Sequence, residues 1–498
     1  MPVASVSPPL SPPGVFHPLS AAAIAFNRFG LGARPDDTPP DNARAWLSHQ
    51  FADYQSRPAA WATQPGSLAI AACLAQERRA ATMTPGSASG SPGSGARAVN
   101  GKQDKAARQA AMKAVNATAR DLYQQAVDAR VASALTTSAP FIERLVHFWS
   151  NHFAVSVDRG EVMPYAGAFE AEAIRPHVLG RFEDMLTAVE QHPAMQLFLD
   201  QSHSVGPDSP AALRAEQRKP QRHPGLNENL AREIMELHTL GARSGYSQAD
   251  VTEFARAMTG WSIGAGRPKN DGPAGGFVFR PLWHEPGARE IMGHRYGQPG
   301  MEQARAVLHT LAISPATARH IAGKLARHFI ADNPSPTVTE ELARAFMQSR
   351  GDLPTLYHAL IAAKDAWSPS AVKFKSPWDW AISALRALGI VDVTPANGRL
   401  PQMAPLLAKL GQPVWRPGSP AGYEDSSANW AAPDALVRRV ELAQRLASHI
   451  GDRLDPRRLG PHLLAGSLSA ATAQAVSRAE SVSTGLALLL VSPDFQRR

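Results

Sequence analysis

The stretch that decides the fold is FIERLVHFWSNHF, residues 141–153. At 3.6 residues per turn, its apolar side chains fall into adjacent stripes that must be buried against other helices. Glu143, His147 and Asn151 recur every four residues on the opposite face. In a functional interpretation, His147 and His152 are ligands or acid–base groups. In the alternative, His152 is a hydrogen-bonded core histidine, and Glu143 and His147 form a helix-surface pair.

Helical patterns continue on both sides of this stretch. Residues 103–133 are Ala-rich and helical in pattern, and residues 225–241 read GLNENLAREIMELHTLG. Patterns of Ser/Thr-x-x-Asp/Glu satisfy the free amides at a helix start. Together with Pro at a first helical position, such patterns predict helix starts at Ser247, Ser314–Pro315, Thr337 and Ser376.

Strand signals are few. GFVFR (276–280) and EIMG (290–293) are separated by PLWHEPGAR, and we expect them to pair as one hairpin. Strands and helices do not alternate as a parallel sheet requires. The sequence therefore predicts a mainly α protein, a large multi-helix unit with one short β-hairpin arm and long Pro/Gly-rich loops.

One α-helical domain is expected over residues 19–498, after a disordered Pro/Ser-rich tail at 1–18. A flexible Gly/Ser/Pro-rich insertion at 84–102 interrupts it, because this stretch buries too little apolar area to offset its ordering. An irregular arm at 262–300 forms a second interruption. The 42 prolines and 37 glycines agree with long irregular connections.

Composition excludes several classes of protein. With 44% hydrophobic residues the 498-residue chain is not disordered throughout, and its single cysteine, Cys73, excludes a disulfide framework. The net charge is +8, but the basic residues are scattered, so no nucleic-acid partner is expected. No apolar run approaches the ~20 residues of a transmembrane helix, and no signal peptide is readable. We expect a soluble protein, cytoplasmic by default.

Residues 225–241 carry a second polar face. An exposed helix would use it as an ion-pair ladder, whereas a buried one would need every charge paired. Its carboxylates near His238 also resemble a carboxylate-bridged metal site, although the Glu-x-x-His unit of di-iron helices is absent. The residues of this face are Glu228, Asn229, Arg232, Glu233 and Glu236.

Two further candidates lie outside these helices. Asp200 ends an apolar run before an irregular segment, where functional groups often sit, although loop anchoring is the alternative. His284, beside Glu285 on the arm, either binds the hairpin or reaches a site on the helical body. Phosphate-loop, dinucleotide, zincin-helix and nucleophile-elbow motifs are absent.

The first functional hypothesis is an enzyme or metal-binding protein. Its site would lie between helix 141–153 and helix 228–238, with Asp200 and His284 closing it. Arg232 would clamp an anionic group, and Glu228 or Glu233 would act as general base or ligand. The candidate catalytic residues are Glu228, Glu233, Arg232, Asn229 and Asp200. The candidate ligands of an unidentified divalent metal are His147, His152, Glu236 and His284.

Several stretches together resemble the bacterial family known as domain of unknown function 1800. They include FNRFGLGARP (26–35), RLVHFWSNHF (144–153), HPAMQLFLD (192–200), NENLAREIMELHTLG (227–241), GYSQADVTEFARAMTGWS (245–262), HEPGAREIMG (284–293), SPATARHIAGKLARHFI (314–330) and SPDFQRR (492–498). This chain has Glu285 where relatives usually show Asp, and Gln201 where Asn is usual.

The resemblance implies a single α-rich unit without an established activity. Genes of this family often neighbour those of a sulfatase- and phosphatase-like family, which implies a partner protein, and many relatives look exported. The second hypothesis follows from this resemblance and from the missing catalytic motifs. It is a non-catalytic accessory or scaffold protein that binds the sulfatase-like partner.

Overall fold

The computed structural model describes residues 18–82, 96–218, 225–266, 272–393 and 402–498. These residues form 23 α-helices and two small antiparallel strand pairs, which confirms the mainly α fold. Apart from Pro18, the predicted tail lies outside the described residues, as do residues 84–95 of the predicted insertion. No helix in the described ranges has both the length and the apolar character needed to cross a bilayer.

The first half of the chain contains helices α1 to α11. They are Ala21–Ala23, Ala43–Asp53, Ser67–Thr82, Ala96–Thr136, Pro140–His152, Ala166–Phe169, Phe182–Gln191, Pro193–Phe198, Pro210–Arg218, Asn229–Glu233 and Gln248–Met258. Three of them, α1, α6 and α10, continue directly into π-helical turns at Ile24–Phe29, Glu170–Ile174 and Ile234–His238.

The second half contains helices α12 to α23. They are Met301–Ala312, Pro315–Phe329, Pro336–Gln348, Leu353–Ala362, Pro377–Ala387, Met403–Lys409, Ser427–Trp430, Pro433–Ile450, Pro456–Leu463, Ala470–Ser477, Val482–Val491 and Pro493–Gln496. Short 3₁₀ turns occupy Ala59–Trp61, Met163–Tyr165, Arg175–His177, Gln201–His203, Pro281–Trp283, Lys364–Trp367 and Gly451–Arg453.

Helix α5, which carries the fold-deciding stretch, is buried on all sides. Only Asn151 among its residues escapes full burial, and Glu143 is 1% exposed. Trp149 donates its indole N–H to the Tyr357 hydroxyl at 2.6 Å. The interpretation of Glu143 and His147 as a helix-surface pair is therefore wrong, because other elements pack over the polar face as well as over the apolar one.

The predicted helix starts are confirmed with one exception. Ser247 forms a reciprocal capping box with Asp250, and Ser376 accepts a hydrogen bond from the amide of Asp379. Helix α14, however, is capped by Ser335 and not by Thr337. Pro336 takes the first helical position, where its missing N–H costs no hydrogen bond, and this moves the cap two residues upstream.

The two strand signals are strands, but they do not pair with each other. Strand β2 (Phe277–Phe279) pairs with β1 (Trp261–Ile263), and β3 (Arg289–Ile291) pairs with β4 (His294–Tyr296). The β3–β4 turn consists of Met292 and Gly293, both at positive φ (50° and 75°). Two such residues close a tight hairpin. Strand β3 therefore pairs with β4, the next strand in the chain, and β2 pairs with β1.

Two apolar cores meet in the structure. The first surrounds α5 and includes buried residues of α7 and α11 to α15, and the second surrounds α16, α19 and α22. Phe148 of α5 belongs to the first core, whereas Trp378 of α16 and Trp415 belong to the second. One cavity is lined by all three side chains, so it lies at the boundary between the cores.

Candidate functional site

A cavity of about 470 Å³ is enclosed by α5, α13, the start of α16 and the loop of residues 410–426. Its volume falls within the ~300–1,000 Å³ range of small-molecule sites. Aromatic side chains form part of its wall, namely Phe148, Trp378, Trp415, Tyr423 and Trp430. The cavity is therefore large enough for a small organic molecule.

Cationic side chains outnumber carboxylates on the cavity wall. The cations are Arg130, Arg144, Arg319, Lys324 and Arg327. The carboxylates are Asp379, Glu424 and Asp425. Four histidines, His147, His152, His320 and His328, complete the set of ionisable groups. The balance of fixed charge favours an anionic occupant.

Two of these cations are neutralised inside the protein. Arg144 Nη1 lies 3.0 Å from Asp379 Oδ1, and both side chains are buried. Arg130 Nε lies 2.8 Å from the buried carboxylate of Glu170. The Arg130 guanidinium also lies over the Trp378 ring at 4.4 Å and the Trp415 ring at 5.4 Å. These two arginines are structural parts of the wall.

The three cations of α13 differ from this pair. Within the described part of the chain, Arg319, Lys324 and Arg327 form no side-chain hydrogen bond or ion pair. Lys324 is half-buried, and burial lowers the pKa of its ammonium group to about 8, with Asp425 opposing the shift and Arg327 adding to it. Lys324 is thus mainly charged at neutral pH, and its charge is not compensated by direct contact.

His328, one helical turn after Lys324, is held by a carboxylate. Its Nδ1–H donates to Asp425 Oδ2 at 2.5 Å, while Lys373 Nζ lies 2.9 Å from Asp425 Oδ1. Burial works to raise the pKa of Asp425, but His328 and Lys373 outweigh it and lower that pKa. Since the carboxylate only accepts, Nδ1 carries the proton and neutral His328 leaves Nε2 as a bare acceptor. Among the described residues, Nε2 has no hydrogen-bond partner.

His152 and His320 are fixed by backbone carbonyls. Nε2–H of His152 donates to the carbonyl of His238 at 3.1 Å, and Nε2–H of His320 donates to that of Leu237 at 3.0 Å. Both carbonyls belong to the π-helical turn after α10. Burial, with Lys324 adding to it, lowers the pKa of His152 well below its ordinary value and that of His320 to about 4. Both rings are neutral at pH 7.

His147 is fixed by an indole. Trp378 Nε1–H donates to His147 Nδ1 at 3.1 Å, so the ring proton is on Nε2, 3.7 Å from Glu143 Oε1. Glu143 is also paired with Arg175. Burial alone would raise the pKa of Glu143, but Arg175 and His147 lower it to about 2. On the polar face predicted on α5, Glu143 is therefore held in a buried network, and His147 and Asn151 line the cavity.

Of the predicted site residues, His147 and His152 line this cavity, and the others lie elsewhere. Glu228 accepts hydrogen bonds from Arg232, Gln248 and Thr252, so that cluster joins α10 to the start of α11. Asn229 is exposed at the first turn of α10. The geometry places the polar face of α10 against α11 and not against that of α5.

Four predicted residues remain to be placed. Asp200 is half exposed and pairs with Arg159 at 2.7 Å. His284 Nδ1 contacts the carbonyl of Thr259 at 3.0 Å, which fixes it to the end of α11. Glu233, the last residue of α10, and Glu236, on the π-helical turn that follows, are half-buried, and burial raises the pKa of Glu233. Within the described residues, no three His, Cys, Asp or Glu side chains converge to hold a metal ion.

The residues that sequence reasoning missed lie mainly on α13. His320, Lys324 and His328 recur every four residues in SPATARHIAGKLARHFI (314–330), with Arg327 beside them. This spacing places them on one helix face, so it was a readable signal of a polar stripe. Asp425 lies in irregular structure, and no local pattern marks it.

A family model described as "Protein of unknown function (DUF1800)" matches residues 24–497. The match covers nearly the whole chain and confirms the resemblance seen in the sequence. None of the curated proteins and none of the solved structures compared with the chain matches it. A more specific function therefore has to be inferred from the cavity.

Proposed function

The chain belongs to the DUF1800 family, whose function is unknown, and from the cavity we propose that it binds a small organic anion and acts on it as an enzyme. The single observation that carries the proposal is the Lys324 ammonium group, which is half-buried and has no hydrogen-bond or ion-pair partner among the described residues, while Arg319 and Arg327 of the same helix are exposed. An uncompensated charge in a half-buried position is unfavourable. A bound anion would relieve that cost.

The chemistry of the cavity supports a compact oxyanion as the charged group of the ligand. Lys324 offers three rotatable donors, and Arg319 and Arg327 offer planar guanidinium groups, which suit carboxylate, phosphate or sulfate oxygens. The aromatic part of the wall favours an organic body attached to that group. The four histidines of the cavity, whose pKa values are lowered by burial, supply groups able to exchange protons with the ligand.

This proposal keeps the enzyme hypothesis and moves its site from α10 to α13. Divalent metal binding by His147, His152, Glu236 and His284 stays a prediction, which elemental analysis of the purified protein would test. Binding to a sulfatase-like partner also stays a prediction, and co-purification of the two proteins would test it. Neither has an observation in its favour comparable to the α13 cations.

The test is a titration with sodium sulfate at constant ionic strength, followed by tryptophan fluorescence, since Trp378, Trp415 and Trp430 line the cavity. Saturable binding is expected. Lys324→Met should weaken it at least about tenfold, or about 1.4 kcal/mol. The matched control is Lys364→Met, which makes the same change at an exposed lysine away from the cavity. Equal affinity in both variants would contradict the proposal.

A further inference from the structure

We infer that the anion is bound together with a proton on His328 Nε2, so that His328 is the proton donor of the site. This inference rests on the proposed function and assigns to the anion site its hydrogen-bond donor and its pH dependence. It is carried by the geometry of the pair formed by His328 and Asp425, which lies next to the uncompensated charge of Lys324.

The first step concerns the ring tautomer. Asp425 Oδ2 accepts the Nδ1–H at 2.5 Å, and Asp425 is itself held by Lys373 at 2.9 Å. The proton on Nδ1 cannot move to Nε2 without losing this hydrogen bond. Neutral His328 therefore presents only a lone pair at Nε2, and that atom has no partner among the described residues.

The second step concerns distance. Lys324 and His328 stand at i and i+4 of α13, where side chains are neighbours with Cβ atoms about 5–6 Å apart. Both side chains line the cavity. An oxyanion bound by the Lys324 ammonium group therefore lies within reach of the His328 imidazole.

The third step concerns charge. An oxyanion presents lone pairs, which repel a second lone pair at Nε2. If Nε2 takes up a proton from solvent, the repulsion becomes a charge-assisted hydrogen bond from Nε2–H to an oxygen of the anion. No bond of the anion breaks in this step. The proton comes from water, the Nε2 lone pair binds it, and Asp425 stabilises the resulting imidazolium.

The surroundings of His328 keep it neutral until an anion arrives. Burial lowers the pKa of His328, and Asp425 opposes that shift. Besides Lys324 and Arg327 on its own helix, the charged groups around His328 are Asp425, which it contacts directly, Lys373, which is bound to Asp425, Arg144 of α5, Asp379 of α16 and Arg498. The cations disfavour a second positive charge, and a bound anion removes this disadvantage.

A measurable pH dependence follows. Between the pKa of free His328 and its higher pKa in the complex, the Kd for sulfate should rise about tenfold per pH unit. Sulfate is the suitable probe because it does not itself titrate in this range. Below pH 7, Lys324 is already charged and adds little to the slope.

The experiment measures the sulfate Kd from pH 5.5 to 7 by tryptophan fluorescence in the full-length protein and in His328→Asn. Wild type should weaken steeply as the pH rises, and His328→Asn should be nearly independent of pH. His309→Asn is the matched control, because it makes the same change at a partly exposed histidine outside the cavity. It should keep the wild-type slope. Circular dichroism verifies that each variant is folded.

A second measurement needs no variant. Calorimetry of sulfate binding to the wild type at pH 7, in buffers of different ionisation enthalpy, should show uptake of up to one proton per anion. Binding without proton uptake and without a pH slope, or an unchanged slope in His328→Asn, would overturn this inference alone. The proposed function as well would be overturned if sulfate did not bind at any pH, or if Lys324→Met left the sulfate affinity unchanged.

Discussion

Arg144 of α5 and Asp379 of α16 form a buried ion pair, with Nη1 of the arginine 3.0 Å from Oδ1 of the carboxylate. Arg144 also donates from Nε to the carbonyl of Gly30 at 2.7 Å, and Arg498 Nε lies 3.4 Å from Asp379 Oδ2. The pair therefore joins the two apolar cores at one edge of the cavity. It also explains why Arg144, although it lines the cavity, is not available to a ligand in the way that Lys324 is.

We expect Arg144→Met to reduce the free energy of unfolding by about 3–5 kcal/mol, because it leaves Asp379 buried without its main partner. Urea unfolding followed by circular dichroism measures the change. In Arg144→Met/Asp379→Leu both charges are removed together. The double variant should lose less than the sum of the two single variants, and additive losses would argue against direct coupling.

Because the protein contains buried histidines, we expect its free energy of unfolding to decrease as the pH falls. The pKa of His320 is about 4 in the folded protein and about 6.5 in an unfolded chain. Above pH 6.5 neither state binds this proton. As the pH falls from 6.5 towards 4 only the unfolded state does, so folding should lose about 1.4 kcal/mol per pH unit from this group.

Urea unfolding at pH 7, 6, 5 and 4.5 measures that slope. His320→Gln removes the titration, so its stability should depend less on pH than that of the wild type over the same range. His309→Gln is the control, since His309 is a partly exposed histidine outside the cavity. A slope unchanged by His320→Gln would show that other groups account for the acid sensitivity.

Asn151 fixes loop 410–426 onto α5. Its Oδ1 accepts the amide N–H of Tyr423 at 2.7 Å, and its Nδ2 donates to the carbonyl of Tyr423 at 2.9 Å. Asn151→Ala removes both bonds and should cost about 1–3 kcal/mol of local stability. Hydrogen exchange measured by mass spectrometry should show faster exchange in peptides of residues 413–426, with α7 (182–191) as the unaffected control.

A substitution at Glu228 distinguishes between the site predicted from the sequence, to which Glu228 belongs, and the cavity, to which it does not. Its carboxylate is partly exposed and bound by Arg232, Gln248 and Thr252. Glu228→Gln should leave the sulfate affinity unchanged and alter stability by about 1 kcal/mol or less. A loss of sulfate binding comparable to that of Lys324→Met would instead support a site on α10.

Much of the fold follows from local sequence. The apolar stripes of residues 141–153 give α5, and Ser247, Ser314 and Ser376 give three helix starts, because periodicity and capping depend on residues within one or two turns. The cap at Thr337 and the partner of strand β2 were predicted wrongly. In both cases a nearby residue offered a better local solution, Pro336 for the cap and the Met292–Gly293 turn for the strand.

The sequence by itself determined the helical class, the family and the presence of polar residues on helices that have to be buried. Only the tertiary structure decided which of those polar residues meet, because periodicity fixes the face of a helix and not the element that packs against it. Glu143 forms an ion pair with Arg175, and Glu228 accepts hydrogen bonds from the start of α11. Lys324 and Asp425 are 101 positions apart in the chain and line one cavity because α13 and loop 410–426 pack together there.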